Sequence, residues 1–375
     1  MKDALLVLED GTTFRGTGFG ADGEVFGEIV FNTGMTGYQE TLTDPSYAGQ
    51  IVAMTAPHIG NTGVNDTDPE SRRVWVKGYV VRDLSPIASS WRAQRDLDTE
   101  LKREGIPGIE VTGTRALTMR VREHGAMRAA VSTAEDNPSR LLERVLASPG
   151  MLGADWAREI TTPEPYVVKP ETKTRYRVAA VDLGIKASTP RYMAQRGCEV
   201  HVLPATATAR EITDLDPDGV FFSNGPGDPA AAGYAVDAMR GVLDAGLPVF
   251  GICYGSQILG LALGLSTYKL KYGHRGVNQP VQDLGTGKVY ISSHNHGFAV
   301  RLPEGSEDPR HPKPFETAYG EGVITHVNLN DGVVEGIRLV DRPVFAVQYH
   351  PEAAPGPHDA IDLFDRFCDA MGGAR

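Results

Sequence analysis

The sequence has few cysteines and no long hydrophobic run. Its three cysteines, Cys198, Cys253 and Cys368, are odd in number and widely spaced, so a disulfide framework is not expected. No apolar stretch approaches the roughly 18–20 residues that span a bilayer. The apolar segment at residues 4–8 is short and ends in acidic residues, which is not the pattern of a signal peptide. We therefore expect a cytoplasmic protein with reduced thiols.

Positive charge is also scarce. The chain has 37 Lys and Arg against 48 Asp and Glu, a formal net charge of −11. Binding to nucleic acid depends on clustered positive charge, so we do not expect a nucleic-acid partner. The lack of a run long enough to span a bilayer likewise gives no reason to expect a membrane partner. A chain of 375 residues is long enough for two domains, each with a core of its own.

The first 150 residues predict an α+β domain. Short β-like runs separated by turn residues come first, and helical patterns follow. The predicted strands are Ala4–Leu8, Glu28–Asn32, Ile51–Met54 and Val74–Val81, and the predicted helices are Arg92–Glu104, Arg115–Glu123 and Pro138–Ala147. Strands followed by helices are typical of an α+β domain. Residues 151–176 are rich in proline and predict an extended linker.

From residue 177 onward the pattern alternates between strand and helix. Predicted strands at Arg177–Asp182, Glu199–Leu203 and Gly219–Ser223 are separated by helical segments. Such alternation predicts an α/β fold, a doubly wound and mostly parallel sheet with helices on both faces. In such folds the site lies beyond the carboxyl ends of the strands.

A candidate nucleophile lies in this second domain. An apolar run stops at Cys253 and is followed by small residues and then by the apolar pattern of a helix, which predicts a strand, a sharp turn and a helix. Gly251 and Gly255 allow close backbone approach at the turn, and the start of the helix favours a thiolate. The alternative is that Cys253 is a small buried hydrophobic residue, as free cysteines usually are.

A candidate base lies almost a hundred residues further on. The predicted strand Val344–Tyr349 runs directly into His350, Pro351 and Glu352. At strand spacing His350 and Glu352 point the same way, so the carboxylate can orient the imidazole. Cys253, His350 and Glu352 together form a set of nucleophile, base and orienting carboxylate.

Gly225 and Gly227 follow another predicted strand. Their spacing matches neither the Walker motif nor the dinucleotide fingerprint, so we expect the loop to donate backbone amides beside Cys253. A rival interpretation concerns His294 and His296, which together with His350 could bind a metal ion. No cysteine or acidic residue follows them at a ligand-like spacing, and we predict no metal site.

Three segments of the second domain resemble the class I, triad-type glutamine amidotransferases: Gly251–Gln257, Ser223–Pro229 and His350–Glu352. The resemblance implies that Cys253 forms a thioester with glutamine, that His350 is the base and that Glu352 is its partner. It also implies that glutamine is bound by Gly225, Gly227, Tyr254, Gln257, Asn295, Gly297 and Phe298. Tyr254 and Ser256 depart from the residues common in this family, leucine and histidine.

The N-terminal domain resembles that of the small subunits of carbamoyl-phosphate synthase. The matching segments are Phe31–Glu40, Asp44–Gln50 and His58–Gly63, and the family role of Ser46 is to help to bind glutamine. The resemblance implies that the chain makes ammonia for a large synthetase subunit, which joins it to bicarbonate with two ATP. The chain itself then needs no cofactor, and ATP and a divalent metal ion belong to the partner. The product serves arginine synthesis, pyrimidine synthesis or both.

Three other functions remain as alternatives. One is an amidotransferase subunit of another synthase, which the N-terminal resemblance disfavours. Another is a metal-dependent hydrolase built on His294 and His296. The third is an inactive interaction subunit, disfavoured because all three triad residues are present.

Overall fold

The structure, a computed structural model, describes residues 2–373. It divides into two compact units. The first runs to Ala154 and also includes Lys271–Gly276, and the second comprises Asp155–Leu270 and the chain from Val277 onward. No helix in residues 2–373 is long and apolar enough to cross a membrane.

The N-terminal unit is built around a closed barrel of seven strands in the order β1-β2-β6-β5-β4-β3-β7. Its strands and helices are β1 (Lys2–Leu8), β2 (Thr13–Gly20), β3 (Glu24–Asn32), α1 (Tyr38–Thr43), β4 (Gln50–Met54), β5 (Gly78–Val81), α2 (Leu97–Glu104), β6 (Pro107–Glu110), α3 (Thr114–His124), β7 (Met127–Ser132) and α4 (Pro138–Ala147).

Local sequence signals explain where these helices begin and end. Asn137 accepts hydrogen bonds from the amides of Ser139 and Arg140, with Pro138 in the first turn of α4, as expected for a helix start. Helix α2 ends at Gly105, which has a φ of 73°, a conformation that glycine adopts without strain. The predicted α+β character of this domain is confirmed.

The prediction that strands precede helices in this domain is wrong. Strands β6 and β7 alternate with α2, α3 and α4. Strand β2 is not among the predicted strands. Its sequence, Thr-Phe-Arg-Gly-Thr-Gly-Phe-Gly, contains three glycines, and glycine weakens the pattern that predicts a strand. Closing the barrel pairs this strand with β1 and β6, so tertiary contacts outweigh its weak intrinsic preference.

The second unit contains the remaining elements. They are α5 (Trp156–Ile160), β8 (Tyr166–Val168), β9 (Tyr176–Asp182), α6 (Ser188–Gln195), β10 (Cys198–Pro204), α7 (Ala209–Thr213), β11 (Gly219–Phe222), α8 (Gly233–Asp244), β12 (Val249–Ile252), α9 (Tyr254–Ala262), β13 (Thr267–Asp283), β14 (Val289–Val300), β15 (Phe315–Thr317), β16 (Gly320–Asn328), β17 (Val334–Leu339), β18 (Val344–Val347) and α10 (Leu363–Gly373).

These strands form one sheet in the order β14-β13-β16-β17-β18-β12-β11-β9-β10-β8, with β15 paired to β16. Strands β18, β12, β11, β9 and β10 are parallel to one another, and β17 and β16 extend the sheet antiparallel. The five parallel strands form the predicted α/β sheet, and their carboxyl ends lie at one edge of it.

Helices cover both faces of this sheet. Met239 of α8 and Ile258 of α9 pack in one buried cluster with Val220 and Phe222. Phe221, which points to the opposite face because side chains alternate along a strand, packs in another cluster with helices α6 and α10. The predicted doubly wound arrangement is thus confirmed.

The predicted linker at residues 151–176 contains packed structure. Helix α5 begins at Asp155, whose side chain accepts a hydrogen bond from the Arg158 amide, and β8 pairs antiparallel with β10. The prediction of an extended segment was therefore wrong over part of this range. The prolines of this segment indicate turns between these elements. They do not predict β8, which forms because it pairs with β10 at the edge of the sheet.

Candidate functional site

Cys253 lies at the sharp turn between β12 and α9. Its backbone has a φ of 54° and a ψ of −100°, a conformation that costs energy for any residue except glycine. The Cys253 amide donates to the Val347 carbonyl oxygen at 2.8 Å, which ties the turn to the end of β18. The strained conformation and the neighbouring strand hold the side chain in one position above the sheet edge.

The glycines on each side permit this turn for steric reasons. A Cβ atom at Gly255 would lie 2.2 Å from the carbonyl oxygen of Phe222, and one at Gly251 would lie 2.9 Å from the backbone of Gly255. Side chains at either position would push α9 away from the strands. The elbow predicted from the sequence is present.

His350 and Glu352 follow β18 and are both buried. The His350 amide donates to the Ser293 carbonyl oxygen at 2.9 Å, and its ring Nδ1 lies 2.6 Å from Glu352 Oε1. Burial alone lowers the pKa of His350, but the charges of Glu352 and Cys253 outweigh it and raise the pKa to about 10. The geometry therefore favours an imidazolium held by a carboxylate.

A fourth charged group completes this arrangement. Lys186, in the loop after β9, is fully buried, with its Nζ 3.2 Å from Glu352 Oε1, and it also donates to the Ala353 carbonyl oxygen. Burial raises the pKa of Glu352, yet the charges of Lys186 and His350 lower it to about 2. Glu352 is thus an anion shared between two cations.

Lys186 is not among the residues predicted from the sequence. It lies four residues beyond Asp182, the last residue of β9, at the edge of the sheet where the site was expected. A lysine beyond the carboxyl end of a central parallel strand is the signal that could have identified it.

Cys253 and His350 lie within electrostatic reach of each other. Cys253 is among the groups that raise the pKa of His350, and His350 Nε2, the ring nitrogen not engaged by Glu352, is buried without a hydrogen-bonding partner. The Cys253 thiol donates a long hydrogen bond, 3.7 Å, to the Asn295 carbonyl oxygen. A nucleophile, a base with an available nitrogen and an orienting carboxylate are therefore brought together.

The glycine loop follows β11, which lies next to β12. A Cβ atom at Gly225 would lie 2.1 Å from the carbonyl oxygen of Leu183, and Gly227 has a φ of 92°. Both positions therefore require glycine. The loop lies at the same carboxyl edge as Cys253, because β11 and β12 are parallel neighbours.

Three backbone amides at the start of α9 donate hydrogen bonds to carbonyl groups of the protein. The Gly255 amide donates to the Ser223 carbonyl, and the amides of Ser256 and Gln257 donate to the Cys253 carbonyl. The hydroxyl of Tyr254 donates to the Asp228 carbonyl oxygen at 3.1 Å, so this departure from the family adds a contact to the glycine loop. Ser256 is buried.

The remaining predicted glutamine-binding residues lie on α9 and β14. Gln257 Nε2 donates to the Phe298 carbonyl oxygen at 2.7 Å and to Gln348 Oε1 at 3.0 Å. Asn295 and Phe298 are buried and Gly297 is half-buried. Gln257 thus fixes the strand that carries Asn295, and the glutamine contacts of these residues stay predictions.

Ser46 lies in the N-terminal unit. It occupies a short 3-10 turn, Pro45–Tyr47, and its amide donates to Asp44 Oδ1 at 2.9 Å. Its role in binding glutamine stays a prediction.

In the structure, the three histidines of the rival metal interpretation have different neighbours. His350 is engaged by Glu352, whereas His294 and His296 lie beside Glu335, at 3.5 Å and 3.8 Å. The rival interpretation grouped His294 and His296 with His350, whereas in the structure their neighbour is Glu335, an acidic residue far away in the sequence.

Comparison with known proteins gives two family matches. Residues 6–131 match the family described as "Carbamoyl-phosphate synthase small chain, CPSase domain", and residues 179–370 match "Glutamine amidotransferase class-I". The matches fall on the two segments in which the sequence motifs occur.

Full-length relatives extend the same likeness. The chain is 59% identical to the carbamoyl phosphate synthase small chain of Streptomyces coelicolor over 99% of its own length and 97% of the relative. It is 55% identical to that of Mycobacterium tuberculosis, over 100% of this chain and 99% of the relative. It is 55% identical to that of Bifidobacterium longum, over 98% of this chain and 94% of the relative. With the amidotransferase elbow and triad in place, the chain belongs to the family of carbamoyl-phosphate synthase small chains.

Proposed function

We propose that this chain is the glutaminase subunit of a glutamine-hydrolysing carbamoyl-phosphate synthase. The observation that carries the proposal is the alignment of Cys253 at a strained elbow with a His350–Glu352 pair joined at 2.6 Å. The amidotransferase domain and the small-chain relatives support the same function.

The chemistry begins when the Cys253 thiol gives its proton to His350, which leaves a thiolate as the nucleophile beside an imidazolium. The electron pair of the sulfur attacks the side-chain amide carbon of glutamine, and the carbonyl oxygen becomes an oxyanion stabilised by backbone amides. We assign that role to the amide of Tyr254 and to the loop of Gly225 and Gly227. His350 protonates the leaving nitrogen, so ammonia departs and a thioester remains.

The second half of the reaction returns the enzyme to its starting state. His350, now neutral, accepts a proton from water, whose oxygen attacks the thioester carbon and releases glutamate. The carbon–sulfur bond breaks and the sulfur regains its electron pair. Glu352 holds the ring throughout, and Lys186 keeps Glu352 ionised.

Membership of the small-chain family implies a large-subunit partner. In the proposed complex this partner binds ATP and a divalent metal ion and uses the ammonia with bicarbonate to make carbamoyl phosphate. The glutaminase reaction itself needs no cofactor, because its nucleophile, acid–base group and oxyanion donors are protein groups. None of the three cysteines forms a disulfide, and free thiols are typical of the cytoplasm, where we place the protein.

The nucleophile is tested by exchanging one sulfur for oxygen. In the complex with the large subunit, Cys253→Ser is expected to lose glutamine hydrolysis and the glutamyl thioester seen by mass spectrometry after acid quench. Cys368→Ser is the matched control, since Cys368 is also a buried free thiol but lies in α10. Hydrolysis by Cys253→Ser at the rate of the control would refute the assignment.

A further inference from the structure

The second unit contains a pair of buried thiols that the glutaminase chemistry does not use. Cys198 is the first residue of β10, and Cys368 lies in α10. Their Sγ atoms lie 3.8 Å apart, close enough for one thiol to donate a hydrogen bond to the other. The two residues are 170 positions apart in the sequence, so only the fold of this unit brings them together.

The thiol pair lies at the end of the sheet opposite to Cys253. Cys198 pairs with Tyr176 at the amino end of the parallel strands β9 and β10, whereas Cys253 follows the carboxyl end of β12. Strands β9 and β10 are each seven residues long, which at about 3.3 Å per residue is roughly 20 Å. A disulfide requires Cα atoms within about 7 Å of each other, so Cys253 is out of reach of either thiol.

An ion pair at the surface borders the two thiols. Arg196, two residues before Cys198, donates to both carboxylate oxygens of Asp365, at 2.7 Å and 2.9 Å. Asp365 lies three residues before Cys368 on α10 and so on the same face of that helix. The side chain of Asp365 is 59% exposed and that of Arg196 is 18% exposed, whereas Cys368 is 6% exposed and Cys198 is fully buried. A small oxidant can therefore reach Cys368 first.

The surroundings of the pair favour a thiolate at Cys368. The hydrogen bond with Cys198 is the main cause that lowers the pKa of Cys368. The guanidinium groups of Arg196 and Arg175 lower this pKa further, and together these effects outweigh burial and the charge of Asp365. In Cys198 the same hydrogen bond and burial raise the pKa. One sulfur is thus disposed to be a thiolate and its neighbour a thiol, as in cysteines that react with an oxidant beside a resolving partner.

We propose that Cys198 and Cys368 form a reversible disulfide when the protein meets hydrogen peroxide. The Cys368 thiolate attacks one oxygen of the peroxide, the O–O bond breaks, and a sulfenic acid and a hydroxide ion result. The hydroxide takes up the proton that Cys368 released. The Cys198 sulfur then attacks the Cys368 sulfur and displaces the second oxygen, which leaves as water with the proton of the Cys198 thiol. Two electrons pass from the sulfurs to the peroxide, and two waters form.

The disulfide would tie the helix α10 to the sheet. The sulfurs, now 3.8 Å apart, approach by about 1.8 Å to reach the S–S bond length of about 2.05 Å. Helix α10 packs Phe364 and Phe367 on Phe250 of β12, with ring centroids 5.8 Å and 5.7 Å apart, and β12 leads into the elbow of Cys253. Since a cross-link restricts the unfolded chain, we expect the oxidised unit to be harder to unfold.

Mass spectrometry of the oxidised full chain tests the proposal. The native chain is treated with hydrogen peroxide, alkylated to block the remaining thiols and digested with trypsin, which releases Cys198 in residues 197–210 and Cys368 in residues 367–375. We expect these two peptides to be joined, in a product that dithiothreitol separates. A chain oxidised in concentrated urea, where the fold no longer selects the pair, should also contain links to Cys253.

Cys253→Ser is the matched control, because it removes the third thiol and leaves the pair intact. It is expected to form the same cross-link in the wild-type amount, and its melting temperature should rise on oxidation and fall again with dithiothreitol. In Cys198→Ser the reaction should stop at the sulfenic acid of Cys368, which dimedone traps as a stable adduct. Cys368→Ser should give no adduct at Cys198.

The absence of the joined peptides from the peroxide-treated wild type would overturn the proposal and would mean that the two thiols serve only as part of the apolar core. A native wild-type chain whose main disulfide includes Cys253 would overturn it as well. Both results are read in the wild type, so they do not depend on the folding of any variant. An adduct at Cys198 in Cys368→Ser, without one at Cys368 in Cys198→Ser, would refute the assignment of Cys368 as the attacking thiol.

Discussion

Charge at the active site is organised as an alternating row of buried groups. Lys186, Glu352 and His350 follow one another at 3.2 Å and 2.6 Å, and the charge of Cys253 also raises the pKa of His350. In a medium of low polarity, each charge is tolerated because an opposite charge lies next to it. The row favours the protonated form of His350, which in the proposed mechanism delivers a proton to the leaving nitrogen.

Replacement of Glu352 by Gln tests this row through its pH dependence. Without the carboxylate, burial still lowers the pKa of His350 while one cause of its rise to about 10 is gone. The alkaline limb of the kcat/KM profile is expected to move to lower pH, and kcat to fall by about 10²–10⁴-fold. The measurement is glutamine hydrolysis by the complex between pH 5 and 10.

The loss of stability in the same variant should depend on pH in a defined direction. The raised pKa of His350 contributes stability that is fully present below its unfolded pKa of about 6.5 and is lost as the pH rises through about 10. The loss of stability caused by Glu352→Gln should therefore be larger at pH 6 than at pH 10. Glu199→Gln, in the half-buried pair with His201, is the control for stability. In the kinetic experiment, an unchanged alkaline limb of the kcat/KM profile in Glu352→Gln would contradict the account.

At the scale of elements, the sequence predicted the elbow because several local signals agreed. The apolar run, the glycines and the helical pattern around Cys253 all indicate the same turn. The pairing of His350 with Glu352 was predicted because their spacing brings them to one side of the chain. Lys186 and Glu335 were not predicted, since each reaches its cluster only through the order of strands in the sheet, which no local pattern contains.

Because the elbow is tightly packed, we expect a side chain at Gly255 to destabilise the protein. In Gly255→Ala the new Cβ would meet the Phe222 carbonyl oxygen at 2.2 Å, so α9 must shift. We expect a loss of about 1–3 kcal/mol in the free energy of unfolding, measured by urea denaturation, together with reduced glutaminase activity.

Gly233→Ala provides the control for this change. A Cβ atom at Gly233, the first residue of α8, would meet no atom within 4 Å. This variant should be neutral or more stable by about 0.4–1 kcal/mol. Equal destabilisation of the two variants would contradict this explanation, because the close approach to Phe222 exists only at Gly255.

At the scale of the whole molecule, the two units were predicted with different success. The α/β unit follows the alternation of strands and helices, and its fold was predicted well. In the N-terminal unit the closure of the barrel was not predicted, and neither was the inclusion of Lys271–Gly276. Both depend on pairing between distant segments, for example β1 with β7, which a single sequence does not specify.

The central claim is that this chain supplies ammonia and that its partner uses it. Cys253→Ser, assembled with the large subunit, separates the two activities. In the proposed mechanism the use of glutamine requires the Cys253 thiolate, whereas the use of ammonia added from outside does not. The variant complex should therefore form no carbamoyl phosphate from glutamine but should form it from ammonium salts at high concentration and raised pH.

The decisive measurement is the rate of carbamoyl phosphate formation by the wild-type and Cys253→Ser complexes with each nitrogen source. The account predicts that the variant matches the wild type with ammonium salts and falls to background with glutamine. Equal loss with both nitrogen sources, in a complex that size-exclusion chromatography shows to be assembled, would contradict the division of labour between the two subunits.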